Sequence, residues 1–159
     1  MEEKKYIICN YARAKWGKTE TLLEVIYKLK SFCPSQCSLI IEKPNIGKDK
    51  WCLFDVKGKQ VVVSTVGDPD SAQPEWLEDA AKNEAKIIVT ASRTKGSTVN
   101  VVYSVAKRYG YEIIWFQNFH FDNPKLLGLS HMVNARKKEA EAIVQLIDIL
   151  IINNLNTLL

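Results

Sequence analysis

A short segment near the N-terminus contains the residue types that a phosphate-binding loop needs. From residue 12 it reads Ala-Arg-Ala-Lys-Trp-Gly-Lys-Thr, which fits the pattern A-x4-G-K-T. In such a loop, backbone N–H groups and the free N–H groups of the following helix point at one anion. Gly17 allows close approach, Lys18 reaches the β- and γ-phosphates, and the Thr19 hydroxyl holds Mg²⁺. The predicted binding residues of this segment are Ala12, Arg13, Ala14, Lys15, Trp16, Gly17, Lys18 and Thr19.

The position of this segment favours the phosphate-binding interpretation over an ordinary helix start. The apolar run 6–9 predicts a buried strand and residues 19–30 an amphipathic helix, so the segment lies at a strand-to-helix turn. Ala12 replaces the usual glycine, and its Cβ would restrict the backbone if that position needs a positive φ. The alternative for Arg13, Lys15 and Trp16 is simple exposure to solvent.

The remaining pattern predicts the elements that position this loop. Residues 51–56 and 60–66 read as two strands joined by a tight turn at 57–59, which is typical of a β-hairpin. After the hairpin, helices and strands alternate, which favours a mostly parallel sheet with helices on both faces. We therefore expect an α/β fold, a three-layer α/β/α sandwich whose sheet has about five strands. Further strands are predicted at 39–41, 86–90 and 112–116, and helices at 74–85, 97–109 and 130–153.

With this loop and these elements, residues 5–118 resemble the P-loop NTPase superfamily, which includes nucleotide kinases, small-molecule kinases and GTPases. The Walker A segment at 12–19 is the specific part of the resemblance. It implies one P-loop domain over 1–159, closed by a long C-terminal helix at about 130–153. It also implies ATP or GTP as the ligand, bound together with Mg²⁺.

The resemblance further implies a Walker B or D-x-x-G segment at the end of a later strand, and residues 61–68 lie at that place. Gly67 matches the glycine that donates its N–H to the γ-phosphate in such families, whereas Ser64 stands where the aspartate is expected. A neutral hydroxyl anchors the Mg²⁺ shell less well than a carboxylate. Asp68 is therefore the candidate that organises the metal or positions an attacking water. The alternative is a turn at 67–70 before a helix.

A third candidate segment follows the strand at 86–90. In open α/β sheets, loops at the carboxyl ends of strands border the ligand crevice, which places Arg93 and Lys95 at the same edge as residues 12–19. Arg93 is the candidate for stabilising charge on a transferring phosphoryl group or for binding a second anionic substrate. Gly96 and the helix start after it offer further N–H groups, and the alternative is a polar helix-cap loop.

Residues 117–123 follow the last strand, at the edge where a base or substrate would be recognised. Their pattern is not the guanine signature N-K-x-D, because Lys is absent and the spacing from Asn118 to Asp122 is one residue longer. Guanine selectivity therefore has no support in the sequence. For His120, a packed or capping role is favoured over a catalytic one.

Composition limits the classes of partner. The chain has 159 residues, 47% hydrophobic and 25% charged, with a net charge of +4, which suits a small anionic ligand. Without a basic aromatic stripe, a nucleic-acid partner is not expected. The apolar run 143–152 is interrupted by Gln145 and Asp148 and is shorter than the roughly 20 residues of a bilayer span, so no membrane partner is expected.

The cysteines and the N-terminus favour a reducing compartment. The chain begins Met-Glu-Glu-Lys-Lys and runs directly into an apolar strand, so no signal peptide is recognised and a cytoplasmic location is expected. Cys33 and Cys37 have C-x3-C spacing and could join Cys52 around zinc. Because no second close pair exists, buried free thiols, Cys9 among them, are the favoured interpretation.

Two functions are consistent with these residues. The first is an ATP- or GTP-dependent phosphotransferase or NTPase in which Lys18, Asp68 and Arg93 are catalytic, Thr19 and Asp68 hold Mg²⁺, and the acceptor is a small anion. The second is a non-catalytic nucleotide-binding switch or regulator. In it, the acidic segment 68–84 presents a surface to a protein partner.

Overall fold

The computed structural model describes residues 3–13, 16–32, 35–119 and 124–156, with the side chains of 130–152 in the last range. These residues form six strands and four helices, which alternate except where β2, β3 and β4 follow one another. In chain order they are β1 (Lys5–Tyr11), α1 (Lys18–Ser31), β2 (Cys37–Glu42), β3 (Trp51–Val56), β4 (Lys59–Ser64), α2 (Gln73–Lys82), β5 (Ile87–Ser92), α3 (Ser97–Tyr109), β6 (Tyr111–Phe116) and α4 (Pro124–Asn156).

The strands form one mixed, mostly parallel sheet in the order β2-β3-β4-β5-β1-β6. Neighbours among β4, β5, β1 and β6 run parallel, while β3 is antiparallel to both β2 and β4. The expected α/β class is therefore confirmed. The sheet has six strands rather than about five, because every apolar run read as a strand pairs within it.

The expected hairpin connects β3 to β4. Val56 pairs with Lys59, which leaves a two-residue turn of Lys57 and Gly58. Their φ values are 52° and 86°. Two successive residues with positive φ are typical of the type I′ turn, whose twist matches that of the flanking strands.

Alternate residues of the central strands face two separate apolar cores. On one face, Ile8 of β1 and Val89 of β5 pack in a cluster with Leu22 of α1 and Ile143 of α4. On the other face, a second cluster joins Ile7, Val62 and Ile88 to Leu77 of α2 and Val102 of α3. Fully burying one such aliphatic side chain contributes about 1.5–3 kcal/mol, so these cores hold the four helices against the sheet.

Two features of the fold bear on function, and the sequence pattern specified neither of them correctly or at all. First, β5 lies between β1 and β4, so β4 is two strands, about 10 Å, away from β1. Second, α4 begins at Pro124 rather than near residue 130. Proline is well tolerated in the first turn of a helix, where its missing N–H has no intrahelical partner to lose. Within the described residues, no helix is long and apolar enough to cross a membrane.

Candidate phosphate-binding site

The loop after β1 is attached to the neighbouring strand at its first residue. The N–H of Ala12 donates to the carbonyl of Ser92 at the end of β5, at 3.1 Å. Ala12 is fully buried and is not among the described residues with a positive φ, so its Cβ is compatible with the backbone. Arg13 is exposed, whereas Ala14 and Lys15 lie outside the described residues.

Gly17 ends the loop and begins α1. Its φ is 82°, in the left-handed region, and its carbonyl accepts the first helical hydrogen bond, from the N–H of Thr21 at 3.0 Å. A Cβ at this position would clash with Nη1 of Arg136 in α4 and would lie 3.0 Å from its Cδ. Glycine is therefore needed here both for the backbone conformation and for the close approach of α4.

Lys18 carries a buried positive charge at the first turn of α1. Only 7% of the residue is exposed, and its Nζ donates to the carbonyl of Ala12 at 2.8 Å. Burial lowers the pKa of Lys18 below its usual value, an effect that Asp68 opposes and Arg93 reinforces. Within the described residues Lys18 forms no ion pair, so an anion is the partner that would relieve its desolvation.

A polar cleft of about 540 Å³ opens beside this lysine. It brings together Gly17, Lys18 and Thr19 of the predicted phosphate loop with Asp68 and Arg93. All five were expected at this edge of the sheet from the sequence. Glu20, Lys48 and Asp49 also line the cleft.

Lys48 and Asp49 come from the connection between β2 and β3, which the sequence pattern shows only as a polar stretch. Lys48 pairs with Glu20 at 3.3 Å. Asp49 accepts a hydrogen bond from the hydroxyl of Thr65 at 2.8 Å. Since Thr65 directly follows β4, the carboxylate of Asp49 lies beside the end of that strand.

The two remaining residues expected to be catalytic pair with each other. The Nε and Nη2 atoms of Arg93 lie 3.1 Å and 3.0 Å from the same oxygen, Oδ1 of Asp68. The side chain of Asp68 is 64% exposed, so this pair contributes little to folding stability. The backbone N–H of Arg93 donates to the hydroxyl of Thr98 in the first turn of α3 at 2.9 Å, which ties this loop to the start of the helix.

The strand β4 ends at Ser64, so a hydroxyl stands where the expected Walker B segment would have a carboxylate. Ser64 is buried, and its hydroxyl has no hydrogen-bond partner within the described part of the chain. Gly67 is also buried, and a Cβ there would lie 2.7 Å from the carbonyl carbon of Ala91. The glycine therefore lets the chain cross the end of β5, a packing requirement that needs no ligand.

A network of amides and a hydroxyl holds the loop from the β6 side. Asn118, which follows β6, donates to the carbonyl of Trp16 at 2.9 Å. Its own Oδ1 accepts from Nδ2 of Asn10 at 2.9 Å and lies 3.2 Å from the hydroxyl of Thr21. Trp16 itself is half-buried, and its backbone carbonyl is the acceptor in this network.

Two charged residues of α4 extend this network, and the sequence pattern did not single out either. Nη1 of Arg136 also donates to the carbonyl of Trp16, and Nη2 donates to that of Phe119 at 2.6 Å. Nε lies 2.8 Å from Oε1 of Glu139, whose side chain is fully buried. Burial raises the pKa of Glu139, while Arg136, the N–H of Phe119 and the hydroxyl of Thr21 oppose that rise. Arg–Glu pairs three residues apart are common on helices, so the sequence does not mark this pair as part of the network. Only the tertiary structure shows which groups the pair contacts.

The cysteines that the structure describes do not line the cleft. Cys9, Cys37 and Cys52 are buried free thiols, and no group of three potential metal ligands occurs in the described ranges 3–13, 16–32, 35–119 and 124–156. Cys33 and residues 120–123, which include His120 and Asp122, lie outside the described residues. Comparisons of the chain with protein-family models, curated proteins and solved structures found no match.

Proposed function

We propose that the chain binds a nucleoside triphosphate, ATP or GTP, with its phosphates on a P-loop formed by residues 12–19. The proposed fold is a three-layer α/β/α sandwich with this loop after the first strand. The proposed activity is a phosphotransferase or NTPase reaction that uses Mg²⁺. The acceptor would be a small anion or, for NTP hydrolysis, water.

The observation that carries the proposal is that the ammonium group of Lys18 is buried and forms no ion pair within the described residues. A buried ammonium group without a carboxylate partner is costly, and it is stabilised when an anion enters the site. Lys18 lies in the first turn of α1, where the free N–H groups and the helix dipole attract the same anion. A chain of phosphates satisfies all of these donors together.

The donor set suits Mg²⁺. The hydroxyl of Thr19 and the carboxylates of Asp49 and Asp68 line one cleft, and hard oxygen ligands are those that Mg²⁺ prefers. A Mg²⁺ ion would neutralise charge on the phosphate oxygens. Asp49 offers the carboxylate that Ser64 does not, because Thr65 holds it beside the end of β4.

Arg93 and Asp68 would change partners when the nucleotide binds. Their ion pair is solvent-accessible, so it is exchanged at little cost for stronger contacts. The guanidinium of Arg93 would turn to the phosphates, where it stabilises negative charge, and Asp68 would be released towards the metal or an attacking water.

A non-catalytic nucleotide-dependent switch is the second candidate. It is favoured by the neutral, buried Ser64 at the end of β4 and by the Asp68–Arg93 pair, which occupies two of the three predicted catalytic groups. In this case the nucleotide would break that pair and reorder residues 67–72. The acidic surface that continues into α2 would then bind a protein partner.

Nucleotide binding is tested by thermal unfolding and calorimetry with MgATP and MgGTP. A ligand at one hundred times its Kd stabilises the folded state by about 2.7 kcal/mol, which raises the melting temperature by several degrees. We expect Lys18→Ala to abolish this stabilisation. Lys107→Ala, which removes the same charge from the exposed face of α3, should retain it. If neither nucleotide stabilises the parent protein, the P-loop assignment is wrong.

Turnover separates the two candidates. Release of phosphate from MgATP or MgGTP, or its transfer to an acceptor in a broad screen, is measured for the parent protein and for Arg93→Ala and Asp68→Asn. Loss of turnover with retained nucleotide binding in these variants supports the enzyme. Tight binding without turnover in the parent protein supports the switch.

A further inference from the structure

The guanidinium of Arg136 is a buried charge that the proposed chemistry does not use. Its side chain is 9% exposed, and it comes from α4, more than a hundred residues after the loop that it contacts. It bridges two backbone carbonyls, those of Trp16 before Gly17 and of Phe119 after β6. Nε lies 2.8 Å from Oε1 of Glu139 but does not meet the geometry of a hydrogen bond, so the ion pair and the two carbonyls must offset the cost of burying this charge.

Arg136 contacts the loop at the carbonyl of Trp16. A trans peptide unit is planar, and its C=O and N–H point in opposite directions. When Arg136 and Asn118 hold the carbonyl of Trp16, they also set the direction of the Gly17 N–H. That N–H belongs to the last residue before α1, where the free donors of the helix start converge.

The shape of the guanidinium explains why α4 supplies an arginine. Its fork reaches the carbonyls of Trp16 and Phe119 with two different nitrogens while Nε faces Glu139. A lysine carries one compact ammonium and cannot make this planar, divergent set of contacts. Gly17 leaves the space that the fork occupies.

We infer that Arg136 is a positioning residue for the phosphate loop, and that it makes phosphate binding and the packing of α4 mutually dependent. It presents the Gly17 N–H for an anion before the anion arrives, so the loop does not have to be ordered on binding. By linkage, a phosphate chain that favours this loop conformation stabilises α4 on the sheet to the same extent. The inference rests on the proposed phosphate site.

The test compares two variants with a matched pair of controls. Arg136→Lys keeps the charge, and R136M combined with E139Q removes both members of the buried pair without leaving one unpaired. The controls are Arg108→Lys and R108M with E78Q, because Arg108 and Glu78 form a second Arg–Glu pair, on α3 and α2. The probes are magnesium tripolyphosphate, which has no base or sugar, and MgATP.

The first readout is the orientation of the loop without ligand. Uniform ¹⁵N-glycine labelling produces at most seven backbone resonances, one for each glycine. We expect the Gly17 resonance to shift or broaden in both Arg136 variants, while the other glycines are unchanged. A Gly17 resonance identical to that of the parent protein would overturn the positioning role.

The second readout is affinity, together with hydrogen exchange in α4. We expect the dissociation constant for tripolyphosphate to rise roughly ten- to hundredfold in Arg136→Lys, the effect of losing one hydrogen bond from a charged donor. Tripolyphosphate should slow exchange around residues 135–147 in the parent protein and not in this variant. Urea unfolding of the ligand-free proteins separates these effects from a loss of folding. Parent-like affinity in both Arg136 variants would overturn the inference.

A parent protein that binds neither probe would overturn the proposed function itself. In that case the glycine resonances still decide whether Arg136 positions the loop. Failure of the inference is recognised differently, because the parent protein then binds both probes and the Arg136 variants bind them equally well.

Discussion

Replacing Gly17 by alanine tests whether α4 restricts the loop. The substitution adds one Cβ at a residue with φ of 82°, next to the guanidinium of Arg136. Two separate costs follow, one from the backbone and one from the neighbour. Gly110 has a similar φ of 78°, and a Cβ there meets nothing within 4 Å. It is therefore a matched control that carries only the backbone cost.

The two costs are distinguishable in size. A non-glycine residue in the left-handed region costs about 1–2 kcal/mol. Moving the guanidinium away from the carbonyl of Trp16 removes one hydrogen bond from a charged donor, about 1.5–3 kcal/mol. We expect Gly17→Ala to lower the free energy of unfolding by about 2.5–5 kcal/mol, the sum of these terms, and Gly110→Ala by about 1–2 kcal/mol.

The measurement is urea unfolding followed by circular dichroism, in the parent protein and in the variant that carries both R136M and E139Q. In that second background the guanidinium is absent, so Gly17→Ala no longer removes its hydrogen bond to the carbonyl of Trp16, and the cost should fall towards the backbone term. The double-mutant cycle then returns an interaction energy of about 1.5–3 kcal/mol between positions 17 and 136. Gly110→Ala should cost the same in both backgrounds.

Equal costs for Gly17→Ala in the two backgrounds would refute this reasoning. The close approach of Arg136 to the loop would then have no energetic consequence. A cost for Gly17→Ala that matches that of Gly110→Ala in the parent protein would lead to the same conclusion. Either result would also remove the steric argument for glycine at position 17.

Three further outcomes are expected. Asp68→Asn frees Arg93 from its ion pair, so calorimetry without Mg²⁺ should show that sulfate binds a few-fold more tightly to this variant than to the parent protein. The same variant should gain less nucleotide affinity than the parent protein when Mg²⁺ is added. Because burial lowers the pKa of Lys18, tripolyphosphate affinity should begin to fall, as pH rises towards 10, earlier than for an ordinary lysine. The control Lys107→Ala should show the same dependence. Burial raises the pKa of Cys9 to about 12, so mass spectrometry should find its thiol unlabelled by iodoacetamide at pH 8 in the native protein and labelled in urea.

Features with a local cause could be predicted from the sequence. The β3–β4 hairpin depends on Lys57 and Gly58, whose positive φ values suit the short turn. The parallel strands are continuous apolar runs because both of their faces are covered, and helix α3 ends at Gly110 in the left-handed conformation that glycine favours. The strand-to-helix turn at 12–19 also has a local cause, because the strand pattern before it and the helix pattern after it predict it.

Other features depend on which elements become neighbours in space. The insertion of β5 between β1 and β4 separates Ser64 from the loop, and no local pattern encodes strand order. Asp49 reaches the cleft from a polar connection whose residues show no periodicity. The role of Arg136 has the same origin, since the helix period marks its position but not the carbonyls that it meets.

The sequence by itself therefore determined the strand–loop–helix unit and the cation at its centre, Lys18, because adjacent residues and their backbone preferences form that unit. Only the tertiary structure decided what surrounds it. Arg93 is paired with Asp68, a carboxylate arrives on a different loop, and the peptide before Gly17 is held from α4. These contacts join residues that are far apart in the chain, and they exist only because the two apolar cores bring the helices and the sheet edge together.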